Sequence, residues 1–358
     1  MKLRIAGLAF AGLAPALSAQ ATFATDTVTA FRTVVVQDAS IGGGIDNPLY
    51  LPPATDNNYS GVVNLWFRDA AGTVRSACTG ALLTTRKILS AAHCVSTNTA
   101  SVRWASFTAR FRNADGTFSE VNGTGFAVQQ NYSGAVVEEQ DVAVLTLSAD
   151  APSSARRYSL FSGNPMVEFT MAGFGRTGDG LTGDNNTANN QFGTANVLRA
   201  GRNRFETTGR DGGSYATIAN PDPGAFGGVL RADMDGPVEL PTTFMCGTLG
   251  FCDRGLGLNE TAVGRGDSGG AALTSTWQVL GVASWGQSTG GGNLGQYGTS
   301  FGYACVANYA PNAACVANYN FVLEQVAGVI PEPSTYALMA TGLVALVGIG
   351  RRRNTRNN

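Results

Sequence analysis

Short apolar runs alternate with turn-forming residues along most of the chain. Runs such as Val62-Val63-Asn64-Leu65 and Val142-Ala143-Val144-Leu145 are bounded by Gly, Asn, Asp and Ser, which favour turns. A nearly continuous apolar run of this length is typical of a buried strand. The body of the protein, residues 41–328, is therefore predicted to be all-β.

One segment near the end of this body follows a helical pattern instead. Phe321-Val322-Leu323-Glu324-Gln325-Val326 places apolar residues at helical spacing, which predicts a short C-terminal helix. A duplication precedes it, because Ala304-Cys305-Val306-Ala307-Asn308-Tyr309 recurs ten residues later as residues 314–319. Each copy carries one cysteine, so the two copies could be joined by a disulfide.

Both ends of the chain carry apolar segments of a different kind. Residues 1–21 combine a basic start, an apolar stretch and small residues for cleavage, which predicts a secretory signal peptide. At the other end, Pro331-Glu332-Pro333 is followed by the uncharged residues 334–350 and then by Arg351-Arg352-Arg353. That stretch is just long enough to form a transmembrane helix, and its arginines should remain cytoplasmic.

Composition narrows the function classes. The 358 residues carry a net charge of -1, and outside the tail the arginines are scattered, so a nucleic-acid partner is not expected. One histidine, six cysteines and no Cys-x-x-Cys leave no zinc-binding set, so neither a metal nor a cofactor is expected. The Asn- and Asp-rich residues 178–193 could hold calcium, but they lack the spacing of a calcium loop and are interpreted as a solvated turn.

Candidate chemistry centres on Gly264-Arg265-Gly266-Asp267-Ser268-Gly269-Gly270. Such a run is compatible with an ordinary surface turn. It also suits a tight turn that exposes the Ser268 hydroxyl and aims the backbone N–H groups of Gly266 and Ser268 at one point, as a developing oxyanion requires. A serine hydroxyl becomes a good nucleophile only when a base takes its proton.

The sequence also contains candidates for the base and for the carboxylate that orients it. The sole histidine is His93, in Ser90-Ala91-Ala92-His93-Cys94. A lone histidine is often only a packed or surface residue, and an acidic residue before a strand often only caps a turn, as Glu138 and Glu139 could. Asp141 directly abuts the apolar run that follows it, so it can be desolvated and can hold an imidazole.

Taken together, these motifs resemble those of the trypsin and chymotrypsin type of serine protease. Ser90-Ala91-Ala92-His93-Cys94, Asp141-Val142-Ala143-Val144-Leu145 and Gly266-Asp267-Ser268-Gly269-Gly270 occur in that family's order. The resemblance implies a catalytic triad of His93, Asp141 and Ser268, with the oxyanion held by the amides of Gly266 and Ser268.

The same resemblance implies the architecture. We expect two antiparallel six-stranded β-barrels, residues 41–162 and 163–328, with the active site between them and a short C-terminal helix. His93 and Asp141 would then lie on the first barrel and Ser268 on the second.

Substrate-binding residues also follow from the family pattern. Ser284-Trp285-Gly286 resembles the strand that pairs with the substrate backbone. Ala262 occupies the position that sets specificity, and it cannot pair with a substrate cation, which predicts a preference for apolar or small side chains at the P1 position. Asp253 and Glu260 are close enough in sequence for a shift in the alignment to reverse this preference.

Activation is a further implication. Residues 22–40 are interpreted as an N-terminal segment or propeptide, and Ile41-Gly42-Gly43-Gly44 resembles the segment that becomes the new N-terminus in zymogens of the family. The ammonium of Ile41 would then pair with Asp267. Gly42 departs from the family pattern, and a glycine run can also be a simple connector.

The six cysteines of an exported protein suggest three disulfides. The family resemblance supports Cys78 with Cys94, and local pairing suggests Cys246 with Cys252 and Cys305 with Cys315. Gly264 replaces a cysteine that is frequent in the family, so the usual bridge beside the specificity pocket is missing.

Residues 329–358 resemble the PEP-CTERM sorting signal of Gram-negative bacteria, which an exosortase is thought to process. This resemblance implies partners in the export machinery and an exosortase-like enzyme, and a transient inner-membrane anchor. The protein would finish in the periplasm, at the cell surface or in the extracellular matrix.

The sequence therefore predicts a secreted serine endopeptidase that acts on proteins or peptides. An inactive protease homologue that serves as a binding protein is the alternative, although all three triad residues are present. A structural matrix protein could share the tail and the β-rich body, but it would not need the triad.

Overall fold

The computed structural model describes residues 32–36, 47–97, 103–134, 138–184, 197–209, 227–237, 245–246, 252, 254–287 and 293–327. The signal peptide, Ile41 and the sorting tail lie outside these residues. In the described part of the chain, no helix is both long and apolar enough to cross a membrane.

Strands dominate the described chain, which confirms the all-β prediction. They are β1 Arg32–Val35, β2 Val62–Arg68, β3 Val74–Leu82, β4 Lys87–Ser90, β5 Ser106–Arg112, β6 Phe118–Val128, β7 Ala143–Leu147, β8 Ser159–Leu160, β9 Glu168–Gly173, β10 Arg199–Arg204, β11 Thr207–Gly209, β12 Val229–Asp233, β13 Ala262–Arg265, β14 Ala271–Leu273, β15 Gln278–Gln287 and β16 Ser300–Cys305. The α-helices are α1 Ala92–Val95 and α2 Ala313–Ala327. Short 3-10 turns occupy Pro48–Tyr50, Asn57–Tyr59 and Gly257–Asn259.

The first half of the described chain forms a closed antiparallel barrel in the order β2-β3-β4-β7-β6-β5. Leu65, Phe67, Ile88, Phe111 and Leu145 lie in the barrel core and are almost completely buried. The six-stranded first barrel is therefore as predicted. The apolar runs form its walls because every second side chain turns inward to the same core.

The second half corrects the expectation of a second closed six-stranded barrel. It is an eight-stranded sheet in the order β10-β9-β14-β15-β16-β12-β11, with β8 added in parallel to β15. Its two outer strands, β10 and β11, do not pair with each other in the described chain. Strand β13 pairs with the N-terminal strand β1 and forms a separate two-stranded sheet with it.

A shared apolar layer joins the two halves. Leu89 and Val144 of the barrel belong to the same buried cluster as Ala172 and Val279 of the sheet and Val322 of α2. The chain passes from barrel to sheet between Leu147 and Ser159, slightly ahead of the expected division near residue 162. This packing sets the distance between the elements that carry the site.

Three disulfides fasten the described chain. They join Cys78 to Cys94, Cys246 to Cys252 and Cys305 to Cys315, the pairs that the sequence suggested. The first connects β3 to α1 directly beside His93. The third connects β16 to α2, so the two copies of the repeated hexapeptide are bridged to each other.

Candidate active site

The candidate base and its carboxylate partner meet because of strand pairing in the barrel. β4 ends at Ser90, which lies opposite Ala143 at the start of β7. The residues just after β4 and just before β7 therefore leave the barrel at the same end. His93 lies in the single helical turn α1 on this rim, and Asp141 lies next to it.

Two hydrogen bonds fix the imidazole against the carboxylate. His93 Nδ1 lies 2.6 Å from Asp141 Oδ2, and the His93 backbone N–H donates to Asp141 Oδ1 at 2.8 Å. Asp141 is completely buried and His93 is 6% exposed. A carboxylate at Nδ1 favours the tautomer with its proton there, which leaves Nε2 as the acceptor.

The second sheet also holds Asp141, through a contact that the sequence did not reveal. Ser284 Oγ on β15 donates a hydrogen bond of 2.5 Å to Asp141 Oδ2. The sequence placed Ser284 on the substrate-binding strand, but its side chain also orients the carboxylate. Tyr132 is buried nearby, and burial together with the charge of Asp141 raises the pKa of its hydroxyl.

The turn that carries Ser268 lies between β13 and β14 and depends on its glycines. Gly266 and Gly269 have φ values of 110° and 79°, which side chains rarely tolerate. A Cβ on Gly269 would also collide with the Ser90 hydroxyl. The motif thus requires glycine here both for backbone angle and for space.

A threonine on the first barrel holds this turn in place. Thr79 Oγ1 on β3 donates to the Gly266 carbonyl at 2.9 Å, and the Thr79 backbone N–H donates to the Ser268 carbonyl at 2.8 Å. Ser268 is 5% exposed. Sequence reasoning missed Thr79, although it stands beside Cys78 in the motif ahead of the histidine.

Ser268 and the His93 imidazole both lie close to the sulfur atom of Cys94. Cys94 Sγ lies 3.9 Å from His93 Nε2 and 3.7 Å from the Ser268 carbonyl oxygen. Ser268 Oγ makes no hydrogen bond to Nε2 in this structure, and such contacts are often long before substrate binds. Cys78, His93 and Cys94 are close enough to hold a metal, but the disulfide occupies both sulfurs.

An apolar pocket opens beside Ser268. Its walls come from the segments before and after the serine and from β15, and they comprise Val263, Gly264, Ser268, Ala283, Ser284, Trp285, Gly286 and Leu294. Its internal volume is about 10 Å³, room for about one water molecule. Ala262 does not line this pocket, because it points into the core of the second sheet and is fully buried.

The strand expected to bind substrate, β15, pairs with different neighbours along its length. β14 pairs with β15 from Val279 to Val282, whereas Trp285 and Gly286 pair with Gly302 and Phe301 of β16. The residues Ser284 to Gly286 therefore lie beyond the end of the pairing with β14. A peptide that bound along this part of β15 would add to the sheet as a further strand.

Asp267, the residue before the nucleophile, is buried beneath the turn. Its Oδ2 accepts from the Gly264 N–H at 3.2 Å, while Oδ1 has no hydrogen-bond partner among the described residues. Burial raises the pKa of this carboxyl well above its usual range, against the opposing effects of the Gly264 N–H and Arg199. Its expected partner, the ammonium of Ile41, lies outside the described residues.

Comparisons with known proteins agree with the motifs. Residues 53–209 match the family model described as Trypsin, and residues 329–354 match that of the PEP-CTERM protein-sorting motif. The first match includes His93 and Asp141 and ends before Ser268. Residues 53–209 are thus similar to the trypsin family and residues 329–354 to the PEP-CTERM motif, which confirms both resemblances.

Two solved structures resemble the chain in fold. One is titled as a Glu endopeptidase in complex with MPD; it is 16% identical, with coverage of 76% of this chain and 96% of that one and a TM-score of 0.46. The other is neuropsin, a serine protease expressed in the limbic system of mouse brain; it is 15% identical, with coverage of 77% and 97% and a TM-score of 0.48. No curated protein matches the chain.

Proposed function

We propose that the protein is a secreted serine endopeptidase that uses Ser268, His93 and Asp141 as its catalytic triad. The observation that supports this most strongly is the buried pair of hydrogen bonds from His93 to Asp141, set opposite the glycine-built turn of Ser268. A histidine packed for stability alone would not need a desolvated carboxylate at Nδ1. The trypsin family match over His93 and Asp141 supports the same assignment.

The residues would act in a fixed order. Ser268 Oγ attacks the peptide carbonyl carbon while His93 Nε2 takes its proton. The imidazolium, stabilised by Asp141, returns that proton to the leaving amine as the carbon–nitrogen bond breaks, which leaves an acyl-enzyme. Water then attacks the ester with the same help from His93 and releases Ser268. The amides of Gly266 and Ser268 would hold the oxyanion in both steps.

The substrate chain would pair with β15 at Ser284, Trp285 and Gly286. The adjoining pocket is lined mainly by apolar groups, so we propose an apolar or small residue at P1. A buried arginine or lysine would lack a partner among the lining residues, at a cost of several kcal/mol. Leucine, alanine and arginine peptide substrates of one backbone should be compared by kcat/KM, and faster cleavage after arginine would refute the preference.

A fluorophosphonate probe tests the nucleophile. The exported protein should be labelled at Ser268, and Ser268→Ala should abolish labelling while the thermal melting temperature changes little. Ser159→Ala, the same exchange at an exposed strand position, should label as the wild type does. Labelling that survives Ser268→Ala would refute the assignment. A folded wild type without labelling or peptidase activity would favour the inactive homologue.

We also propose that the PEP-CTERM motif directs the exported protein to an exosortase-like enzyme. Residues 334–350 would anchor it transiently in the inner membrane, after the signal peptide of residues 1–21 has been removed. The mature protein would then reach the cell surface or the extracellular matrix. The intact mass of the native protein would identify both ends, and a mass that retains residues 329–358 would contradict processing of the tail.

A further inference from the structure

One wall of the pocket beside Ser268 comes from a residue outside the motifs that the sequence singled out. Leu294 lies in the segment between β15 and β16, is 8% exposed, and lines the pocket. Its side chain packs over the backbone of Gly286, because a Cβ placed on this glycine would lie 3.2 Å from Leu294 Cδ2 and 3.5 Å from Cδ1. The branched end of Leu294 therefore fills space directly beside the strand expected to bind substrate.

The space that remains in the pocket is small. Its internal volume is about 10 Å³, which is close to the room that one water molecule needs. A methyl group is similar in size to a water molecule, whereas the side chains of leucine and phenylalanine are several times larger. The pocket is thus large enough for the methyl group of alanine, and a larger side chain would have to displace Leu294.

The backbone of Leu294 is held in place by hydrogen bonds to a second segment. The Leu294 carbonyl accepts from the Asp184 backbone N–H at 2.8 Å, and Asp184 Oδ2 accepts from the Arg265 N–H at 3.2 Å. Asp184 is completely buried. Leu294 is therefore connected through Asp184 to the residues that lead directly to the Ser268 turn.

Side chains close to Leu294 in sequence add to the same attachment. Asn293 Nδ2 donates to the Thr182 carbonyl at 2.9 Å, and Gln296 Nε2 donates to the Leu181 carbonyl at 2.7 Å. The described part of the Asn- and Asp-rich segment, residues 178–184, is thus docked against this wall of the pocket and is not simply a solvated turn. Displacement of the wall by a large substrate side chain would cost these contacts.

We propose that Leu294 determines the size of the P1 residue and restricts cleavage to substrates with a small side chain, such as alanine, at that position. This inference rests on the proposed endopeptidase function and narrows its apolar or small preference to small. The family pattern places specificity at Ala262, but that side chain lies in the core of the second sheet. In this chain the restriction comes from the segment after β15 instead.

Peptide substrates of one backbone with alanine, leucine or phenylalanine at P1 test the proposal. In the wild type, kcat/KM should be higher for the alanine substrate than for the other two by about tenfold or more, the scale on which apolar pockets discriminate by size. Leu294→Ala removes Cγ and both Cδ atoms. It should therefore raise kcat/KM for the leucine and phenylalanine substrates by about tenfold or more, and change that for alanine by less than about threefold.

Three controls separate pocket size from folding and from the triad. Leu294→Val removes less of the side chain and should shift the preference in the same direction by a smaller factor, and melting temperatures show whether each variant folds. Leu49→Ala, the same exchange at a side chain that is 73% exposed, should keep the wild-type preference. The rate of fluorophosphonate labelling at Ser268 does not depend on a P1 side chain and should be the same in all variants.

The possible results distinguish this inference from the proposed function. An active wild type that cleaves faster after leucine or phenylalanine than after alanine would overturn the inference and leave the proposed function intact. Folded Leu294 variants that keep the wild-type preference would do the same. A folded wild type that is neither labelled nor able to cleave any of the peptides would refute the proposed function, and this inference with it.

Discussion

Buried acidic side chains differ in their hydrogen-bond partners between the first barrel and the second sheet. In the barrel, Asp141 is completely buried, yet both of its oxygens accept hydrogen bonds from His93 or Ser284. In the second sheet, Asp267 and Asp233 each have a buried side-chain oxygen with no hydrogen-bond partner in the part of the chain that the structure describes. The base side of the site is thus satisfied by the described residues, whereas the nucleophile side contains charge that they do not neutralise.

This difference suggests how the two halves respond to their surroundings. A carboxylate whose two oxygens already accept hydrogen bonds does not need a further ligand to stabilise its charge. A buried carboxylate without them becomes stable only with a proton or a cation, for which the candidate at Asp267 is the Ile41 ammonium. The second sheet is therefore the half whose stability should depend on processing and pH.

The largest expected effect comes from a substitution at Asp141 in the first barrel, where the buried carboxylate already has its hydrogen-bond donors. Asp141→Asn has one side-chain oxygen in place of the two that contact the backbone N–H and Nδ1 of His93. The imidazole therefore loses its fixed tautomer, and kcat should fall by about 10⁴, as in the triad template of trypsin-type proteases. KM should change little. Steady-state kinetics with one peptide substrate measure this, with the exposed Asp150→Asn as control. Activity within tenfold of the wild type would show that His93 does not depend on Asp141.

Asp267→Asn tests the buried carboxyl group in the second half of the chain. The substitution is introduced into a Ser268→Ala variant whose N-terminus is shown by mass to be uncut. Burial raises the folded-state pKa of Asp267, so the folded protein binds a proton that the unfolded chain has released. Its stability is therefore greatest at low pH and declines as the pH rises from about 4 through the folded-state pKa. Asparagine avoids that loss and should raise the free energy of unfolding by about 3 kcal/mol above that pKa, the scale for an uncompensated buried charge.

Urea unfolding at several pH values measures this difference. The two proteins should converge toward pH 4 and diverge as the pH rises. Equal stability at every pH would show that Asp267 already has a compensating partner in the uncut chain. If the active protein is cut before Ile41, the same substitution should instead reduce its activity, because the new ammonium would lose its carboxylate.

Local patterns predicted the all-β body and singled out His93 and Asp141 as candidates, whereas the barrel followed from the family resemblance. Asp141 could be chosen over Glu138 and Glu139 because it alone touches a buried run, and the structure places it beside His93. The glycines around Ser268 signalled a restricted turn, which their φ values bear out. These features depend on neighbours in sequence or on one strand pairing, so the sequence contains their physical cause.

Long-range contacts could not be predicted in the same way. The bond from Ser284 to Asp141 and the pairing of β1 with β13 depend on how separate elements dock. The repeated hexapeptide shows the limit clearly, because Ala304-Cys305 ends strand β16 whereas Ala314-Cys315 lies in helix α2. Identical residues thus take different structures according to their tertiary partners.

The smallest expected effect concerns that N-terminal strand. Val36 follows β1, is completely buried in the core of the second sheet, and donates its N–H to the Gly178 carbonyl at 3.3 Å. If the mature protein keeps this segment, Val36→Ala should lower its free energy of unfolding by about 2 kcal/mol, through two lost methyl groups and the cavity they leave. Urea unfolding of exported protein with a mass-verified N-terminus measures this, and Val197→Ala, 39% exposed, should be near neutral. An unchanged urea midpoint for Val36→Ala, in protein that retains this residue, would contradict the packing of Val36 in the core. An N-terminus at Ile41 would show that residues 22–40 are removed and that β13 loses its neighbouring strand on maturation.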